Sequence, residues 1–333
     1  MTSYLLPAVA NWDEWRPIFT DTRVWRPVIA RLWAAEPGLR ARTSIAMPGH
    51  VAAGYPGTCA VFVIDERAVI KFFPPMVSGD DAREAAVYRL LDGRVPGASL
   101  LAEGVLYDRI DWPYLVVSFV PGAAWREVGA TIAPARQAAI LAELGRVVRL
   151  THETPLNADT WPMPSAWSDY VSHSLSDAIG RLRDETVFST SVINEIEALL
   201  SATDWFANQP RLLHADLTAD HLLVAERDGR WSMTGLIDWA DALVGDPYYE
   251  WVALWFDLCR RDARLFGAFW RGYDPAGASP PLSLSRLLAF TCLHRFGTGI
   301  MTAALPEATR REITGVAGLI AALFPDLPAI EAG

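Results

Sequence analysis

The chain has 333 residues, 51% of them hydrophobic and 20% charged, which suits a protein with a sizeable buried core and argues against disorder. Its net charge of −10 argues against a nucleic-acid partner, since phosphate binding needs a basic face, and suits a cationic small molecule concentrated by an acidic cleft. Cys59, Cys259 and Cys292 are far apart and form no CxxC or disulfide framework. The start carries no positive signal-like segment, and no apolar run approaches the roughly 20 residues that span a bilayer. A soluble cytoplasmic protein without a membrane partner, monomer or dimer, is expected.

In chain order, residues 12–35 alternate Trp, Ile, Val and Leu with Arg at helical spacing and form a helical preface. Short β-rich runs at Ser44–Met47, Cys59–Ile64 and Ala68–Phe73 follow, separated by glycines and the Asp65-Glu66 turn, as in an antiparallel meander. The third run holds Lys71, the only lysine of the chain, where every other fixed cation is arginine. A compact ammonium on a strand suits contact with phosphate oxygens, which a planar guanidinium does not reproduce. Asp80–Leu91 has a helical pattern with Ala82, Ala85, Ala86 and Leu90 on one face, and Tyr114–Val120 has a strand pattern that ends at Pro121-Gly122. That dipeptide divides the chain into lobes of residues 1–120 and 121–333.

The second part is mostly helical. Ile132–Leu150 is amphipathic, and 155–210 is helical and acidic, with eight acids against Arg181 and Arg183, a candidate wall for a cationic substrate. Then comes Leu213-His214-Ala215-Asp216-Leu217-Thr218-Ala219-Asp220-His221, and a second carboxylate 22 residues after Asp216, in Ile237-Asp238-Trp239. The spacing is that of a hairpin, which brings Asp238 back beside Asp216. Two carboxylates meeting there can divide labour, one accepting a hydroxyl proton and the other holding Mg²⁺ on nucleotide phosphates. Gly245-Asp246-Pro247 opens the next helix, with Asp246 as its cap and Pro247 at its first position. His152, His214 and His294 lie in contexts that suit buried, hydrogen-bonded histidines.

His-x-Asp, Ile-Asp-Trp and Gly-Asp-Pro before a helix, in this order, resemble the aminoglycoside phosphotransferase family. Val69-Ile70-Lys71, Trp112–Val116, Pro121-Gly122 with Trp125-Arg126, and Leu287–Thr291 with Leu293-His294 are similar to its hygromycin B kinases, over residues 24–296. The resemblance implies an α+β, two-lobed protein-kinase-like fold. It implies transfer of the γ-phosphoryl group of ATP or GTP, with Mg²⁺, to a hydroxyl of an amine-bearing small molecule such as an aminoglycoside. Lys71 would hold the phosphates, oriented by Glu84. Ser118 and Val120 would lie in the hinge strand at the nucleobase, and Gly49–Gly57 would be the flap. Asp216 would be the catalytic aspartate and Asp238 the metal ligand, with Asp241 and Glu250 as acceptor contacts. The family usually has asparagine five residues after the catalytic aspartate as a second metal ligand, whereas this chain has His221 at that metal position, similar to macrolide kinases of the superfamily. A macrolide or metabolic small-molecule kinase, or a nucleotide-binding pseudokinase, is the alternative.

Overall fold

Turn chemistry and alternating burial build the first layer of the protein. The computed structural model describes residues 4–54, 57–157, 161, 167–184, 187–277 and 282–327. Helices α1 (Trp12–Trp15), α2 (Thr22–Ala35) and α3 (Pro37–Thr43) precede strands β1 (Val51–Ala53), β2 (Ala60–Ile64) and β3 (Ala68–Phe72). Asp21 caps α2 through the Arg23 amide, and Trp25, Val28, Ile29, Leu32 and Trp33 form its buried stripe. Helix α4 (Asp80–Leu91) and the hairpin of β4 (Leu100–Asp108) and β5 (Ile110–Ser118) complete a five-stranded antiparallel sheet of order β1-β2-β3-β5-β4.

Strand alternation gives this sheet two different faces. Ala60, Phe62, Ile64, Ala68, Ile70 and Phe72 share one core with the helical preface, where Trp25 stacks on Phe72 at 4.5 Å. The intervening Val61, Val69 and Lys71 line a cleft on the opposite face. The Asp65-Glu66 turn between β2 and β3 is left-handed at both residues, φ 50° and 52°, the geometry that matches strand twist in a two-residue hairpin.

Two expectations fail in this part. Ser44–Met47 is not a strand: Ser44, at φ 55°, ends α3, the Thr43 hydroxyl accepts the Ile45 amide, and the strand forms instead at Val51–Ala53. Strand β4 had no sequence signal clear enough to find it. It lies at the sheet edge, where Val105 and Tyr107 are exposed, so its pattern is not that of a buried strand. The hinge strand also ends at Ser118, leaving Phe119 and Val120 beyond it.

After the hinge come β6 (Ala123–Ala124), α5 (Trp125–Val128), α6 (Pro134–His152), α7 (Trp167–Asp184) and α8 (Thr190–Ala202). The hairpin of β8 (Leu222–Arg227) and β9 (Arg230–Leu236) turns at Asp228-Gly229, and β6 adds to β8; the flanking β7 (Arg211–Leu213) pairs with β10 (Leu243–Gly245). Helix α9 (Tyr248–Ala253) runs into a π-helical turn, Leu254–Leu258, before α10 (Ala263–Tyr273) and α11 (Leu284–Leu293). A second, larger core joins these elements to Ala86, Val87, Tyr88 and Leu91 of α4, so α4 spans from the sheet to the helical part. Ala82, expected on its apolar face, is exposed. The helix after Gly245-Asp246-Pro247 starts one residue later than expected, with Pro247 at the cap. Asp246 still accepts the Tyr248 amide, but it is buried and ion-paired to Arg286 at 2.5 Å. Among the described residues no helix is long and apolar enough to cross a membrane.

Candidate active site

Lys71 on β3 faces Glu84 on α4, and their charged tips meet at 2.8 Å. The same ammonium lies 2.7 Å from Asp238, which follows β9. Burial disfavours the charged lysine, but Asp238 and Glu84 outweigh it and hold Lys71 well above its ordinary pKa. Burial likewise raises Asp238, yet Lys71 and His221 outweigh it and hold that carboxyl well below the usual range. Glu84 stays raised because burial exceeds the help it receives from Lys71.

The loop Asp216–His221 supplies the second carboxylate. Ala215 and Asp238 both adopt positive φ, 63° and 64°, costly for residues with a Cβ and found where a surrounding frame imposes them. His214 is part of that frame: its Nε2 donates to the Ile237 carbonyl at 2.9 Å, and its Nδ1 accepts the Asp216 amide. Burial lowers the His214 pKa, which keeps the ring in the neutral form this pattern needs. Asp216 is pushed up by burial, offset in part by His221 and His214. His221 Nδ1 donates to the Asp216 carbonyl at 2.8 Å, and its Nε2 lies 3.6 Å from Asp238.

Lys71, Glu84, Asp216, His221 and Asp238 line one cavity of about 1060 Å³. Ser118 and Val120 line it too; the Ser118 amide donates to the Ser99 carbonyl, its hydroxyl accepts the Ser99 amide, and the Phe119 amide is taken by the Arg67 carbonyl. Asp241 lies in the lining with both oxygens on Arg295 at 2.7 Å, and that guanidinium outweighs burial to lower its pKa.

Glu250 does not reach the cleft. It is 1% exposed, takes the His214 amide at 2.8 Å and meets His152 Nε2 at 2.6 Å, so it braces the loop from beneath instead of contacting an acceptor. The described acids of the 155–210 segment do not form a cleft wall either. None of its described acids lines the cavity: Glu197 pairs with Arg183, Glu195 takes the Val316 amide, and Asp204 takes the Phe206 amide. Asp159, Glu185 and the Asp184 side chain lie outside the described residues. The cleft carries its own acids, eight carboxylates against four fixed cations, counting Asp80, Glu127 and Asp257, which sequence reasoning did not single out. Asp257 belongs to no motif; it lies in the π-helical turn and accepts the Ala219 amide of the loop at 2.7 Å. Asp220 is not free to substitute for His221, because Arg126 binds it at 2.7 Å.

Among the described residues no three His, Cys, Asp or Glu side chains converge as a metal cage. The donor set of Asp238 and His221 suits a hard cation that draws its remaining ligands from phosphate oxygens and water, as Mg²⁺ does with nucleotides. Imidazole is the poorer of the two ligands for Mg²⁺.

A small antiparallel sheet over a largely helical part, with lysine, glutamate and two aspartates in the cleft between, is the kinase-like α+β arrangement. The profile described as the phosphotransferase enzyme family, APH, matches residues 56–282. The chain belongs to that family and is an enzyme, a small-molecule kinase. Solved structures share the fold. The GDP complex of aminoglycoside 2'-phosphotransferase-IIIa superposes with a TM-score of 0.59 at 16% identity, covering 88% of this chain and 97% of that one. A putative aminoglycoside phosphotransferase from Ralstonia eutropha gives 0.58 at 17% identity, covering 88% and 94%. Spectinomycin phosphotransferase in complex with ADP and spectinomycin gives 0.54 at 11% identity, covering 88% and 92%.

Proposed function

We propose that the protein transfers the γ-phosphoryl group of ATP or GTP to a hydroxyl of an amine-bearing antibiotic, with an aminoglycoside such as hygromycin B as the first candidate. The observation that carries this is the convergence of Lys71, Glu84 and Asp238 within 2.8 Å contacts, with Asp216 lining the same cavity. Lys71, oriented by Glu84, aligns the phosphates, and the base lies against Ser118 and Val120. When bound, Mg²⁺ would neutralise phosphate charge, and Asp238 and His221 are the residues that would hold it. Asp216 accepts the proton of the attacking hydroxyl, whose oxygen forms the new bond to the γ-phosphorus as the bridging bond to the β-phosphate breaks. Its raised proton affinity suits that task. Residues 1–120 serve as the nucleotide lobe and 121–333 as the acceptor lobe.

The excess of carboxylates in the cleft supports a cationic acceptor. Solved relatives bound to kanamycin and to spectinomycin support an antibiotic of that class. A macrolide is the second reading, favoured by Phe296, 59% exposed and lining the cleft with Phe256 and Ile300. A panel of aminoglycosides and macrolides, assayed with Mg²⁺ and either nucleotide, tests both. Phosphate found on an aminoglycoside hydroxyl supports the first reading, and on a macrolide hydroxyl the second. Nucleotide binding without transfer to any acceptor overturns both in favour of a pseudokinase.

A further inference from the structure

We infer that Arg126 is a positioning residue, a guanidinium that clamps the Asp216–His221 loop to the π-helical turn Leu254–Leu258 through Asp220 and Asp257. The inference rests on the reading of Asp216 as the proton acceptor. Arg126 stands just past the hinge, held in place by the β6–β8 pairing before it and by its own amide, which donates to the Ala219 carbonyl at 3.0 Å. Its Nε donates to Asp220 at 2.7 Å, and its Nη2 reaches both oxygens of Asp257 at 2.8 and 2.7 Å. Asp257 also accepts the Ala219 amide at 2.7 Å. Three separate points of the loop, the Ala219 amide, the Ala219 carbonyl and the Asp220 carboxylate, are therefore tied to one arginine and its partner acid.

Contacts within the loop do a different job. Thr218 and His221 turn back on the Asp216 carbonyl, which shapes the loop but does not locate it in the cleft. Location comes from outside: Leu217 and Ala219 are buried at 0% exposure, and the clamp fixes the stretch between them and His221. The π turn is the feature that brings Asp257 round. Cys259 donates to Leu254, five residues back, and each residue added to a helical turn rotates the side chains after it by about 100°. Ordinary exposed ion pairs contribute little, but here the Asp257 carboxylate that receives the guanidinium also accepts a backbone amide, and a guanidinium fork demands fixed geometry. Lysine cannot make it.

The test uses Arg126→Lys, Asp257→Ala and the near-isosteric Asp220→Asn, the last two also serving if the first fails to fold. Amide hydrogen exchange of peptides covering 217–221 reads the clamp without any acceptor, and is expected to accelerate in Arg126→Lys and Asp257→Ala while distant peptides stay unchanged. Steady-state kinetics should show kcat reduced about 10–100-fold, as small misplacements of a reacting group do, with both KM values within about threefold of the parent. Unchanged exchange overturns the clamp. So does a raised acceptor KM at unchanged kcat, which would make Arg126 an acceptor contact, and so does full rescue by lysine, which would mean that charge alone matters. A parent that phosphorylates no acceptor, with exchange responding as expected, overturns the phosphotransfer reading and leaves the clamp standing.

Discussion

Burial raises Asp216 toward protonation, while Lys71 holds the neighbouring Asp238 ionised, so two carboxylates in one cleft are set up for different tasks. Asp216→Asn is expected to lower kcat by about 10²–10⁴-fold with little change in nucleotide affinity. Asp238→Ala is expected to remove the Mg²⁺ dependence of nucleotide binding, measured by calorimetry with and without the metal. His221→Asn restores the oxygen ligand usual in the family and should preserve or raise Mg²⁺-supported turnover; a dead variant would mean that His221 does more than approach the metal. His294 offers a stability test away from the metal. Its ring stacks on Tyr249 at 4.7 Å, and burial, with Arg295 beside it, pushes its pKa down to about 3. Asp241 opposes that push and Arg181 adds to it. A histidine depressed in the folded state is protonated first in the unfolded chain, so stability is full above its unfolded pKa and falls as pH drops from 6.5 toward about 3. Urea unfolding at pH 6.5 and 5 should show the wild type losing about 2 kcal/mol more than His294→Asn, and parallel losses would sink the idea.

Helices α6 and α10 cross through two glycines, and this crossing supports the loop from a distance. A Cβ on Gly272 would sit 1.9 Å from the Ala142 carbonyl oxygen, and one on Gly145 would sit 2.1 Å from that of Phe269. The approach brings Tyr273 at the end of α10 to within 2.9 Å of His152 at the end of α6, and His152 leads through Glu250 to the His214 amide. Gly272→Ala should therefore force the helices apart and destabilise the protein by about 1–3 kcal/mol, read as a lower denaturation midpoint with an unchanged slope. The preface acts on the other side of the cleft. Trp25 stacks on Phe72, the neighbour of Lys71, and the alternation of β3 turns that packing into a fixed direction for the lysine.

At the scale of the molecule, carboxylates line the cleft, and none of the described acids of 155–210 is among them. Asp220, Asp241 and Asp257 carry arginine partners, while the cleft as a whole keeps an excess of carboxylates. For a cationic acceptor, KM should rise with ionic strength, because salt screens such attraction over about 8–10 Å near physiological conditions. An acceptor KM independent of salt would favour a substrate bound through Phe256, Phe296 and Ile300 instead.

The sequence alone determined much of the local structure: the single lysine on a β-branched strand, the helix Asp80–Leu91 to the residue, the hairpin that returns Asp238 to the same His221 that Asp216 meets, and the buried histidines. Those features are local, and side-chain period and turn residues write them into neighbouring positions. It missed the Val51–Ala53 strand and the edge strand Leu100–Asp108, and it placed Glu250 and the described 155–210 acids at a cleft that their packing turns them away from. A charge pattern does not say which way a helix face turns. Only the tertiary structure put Glu250 beneath the loop and brought Arg126, Asp220 and Asp257 together, with partners up to 131 positions apart in the chain. Each of these contacts depends on how elements pack against one another, which is a property of the assembled core and not of any window of sequence.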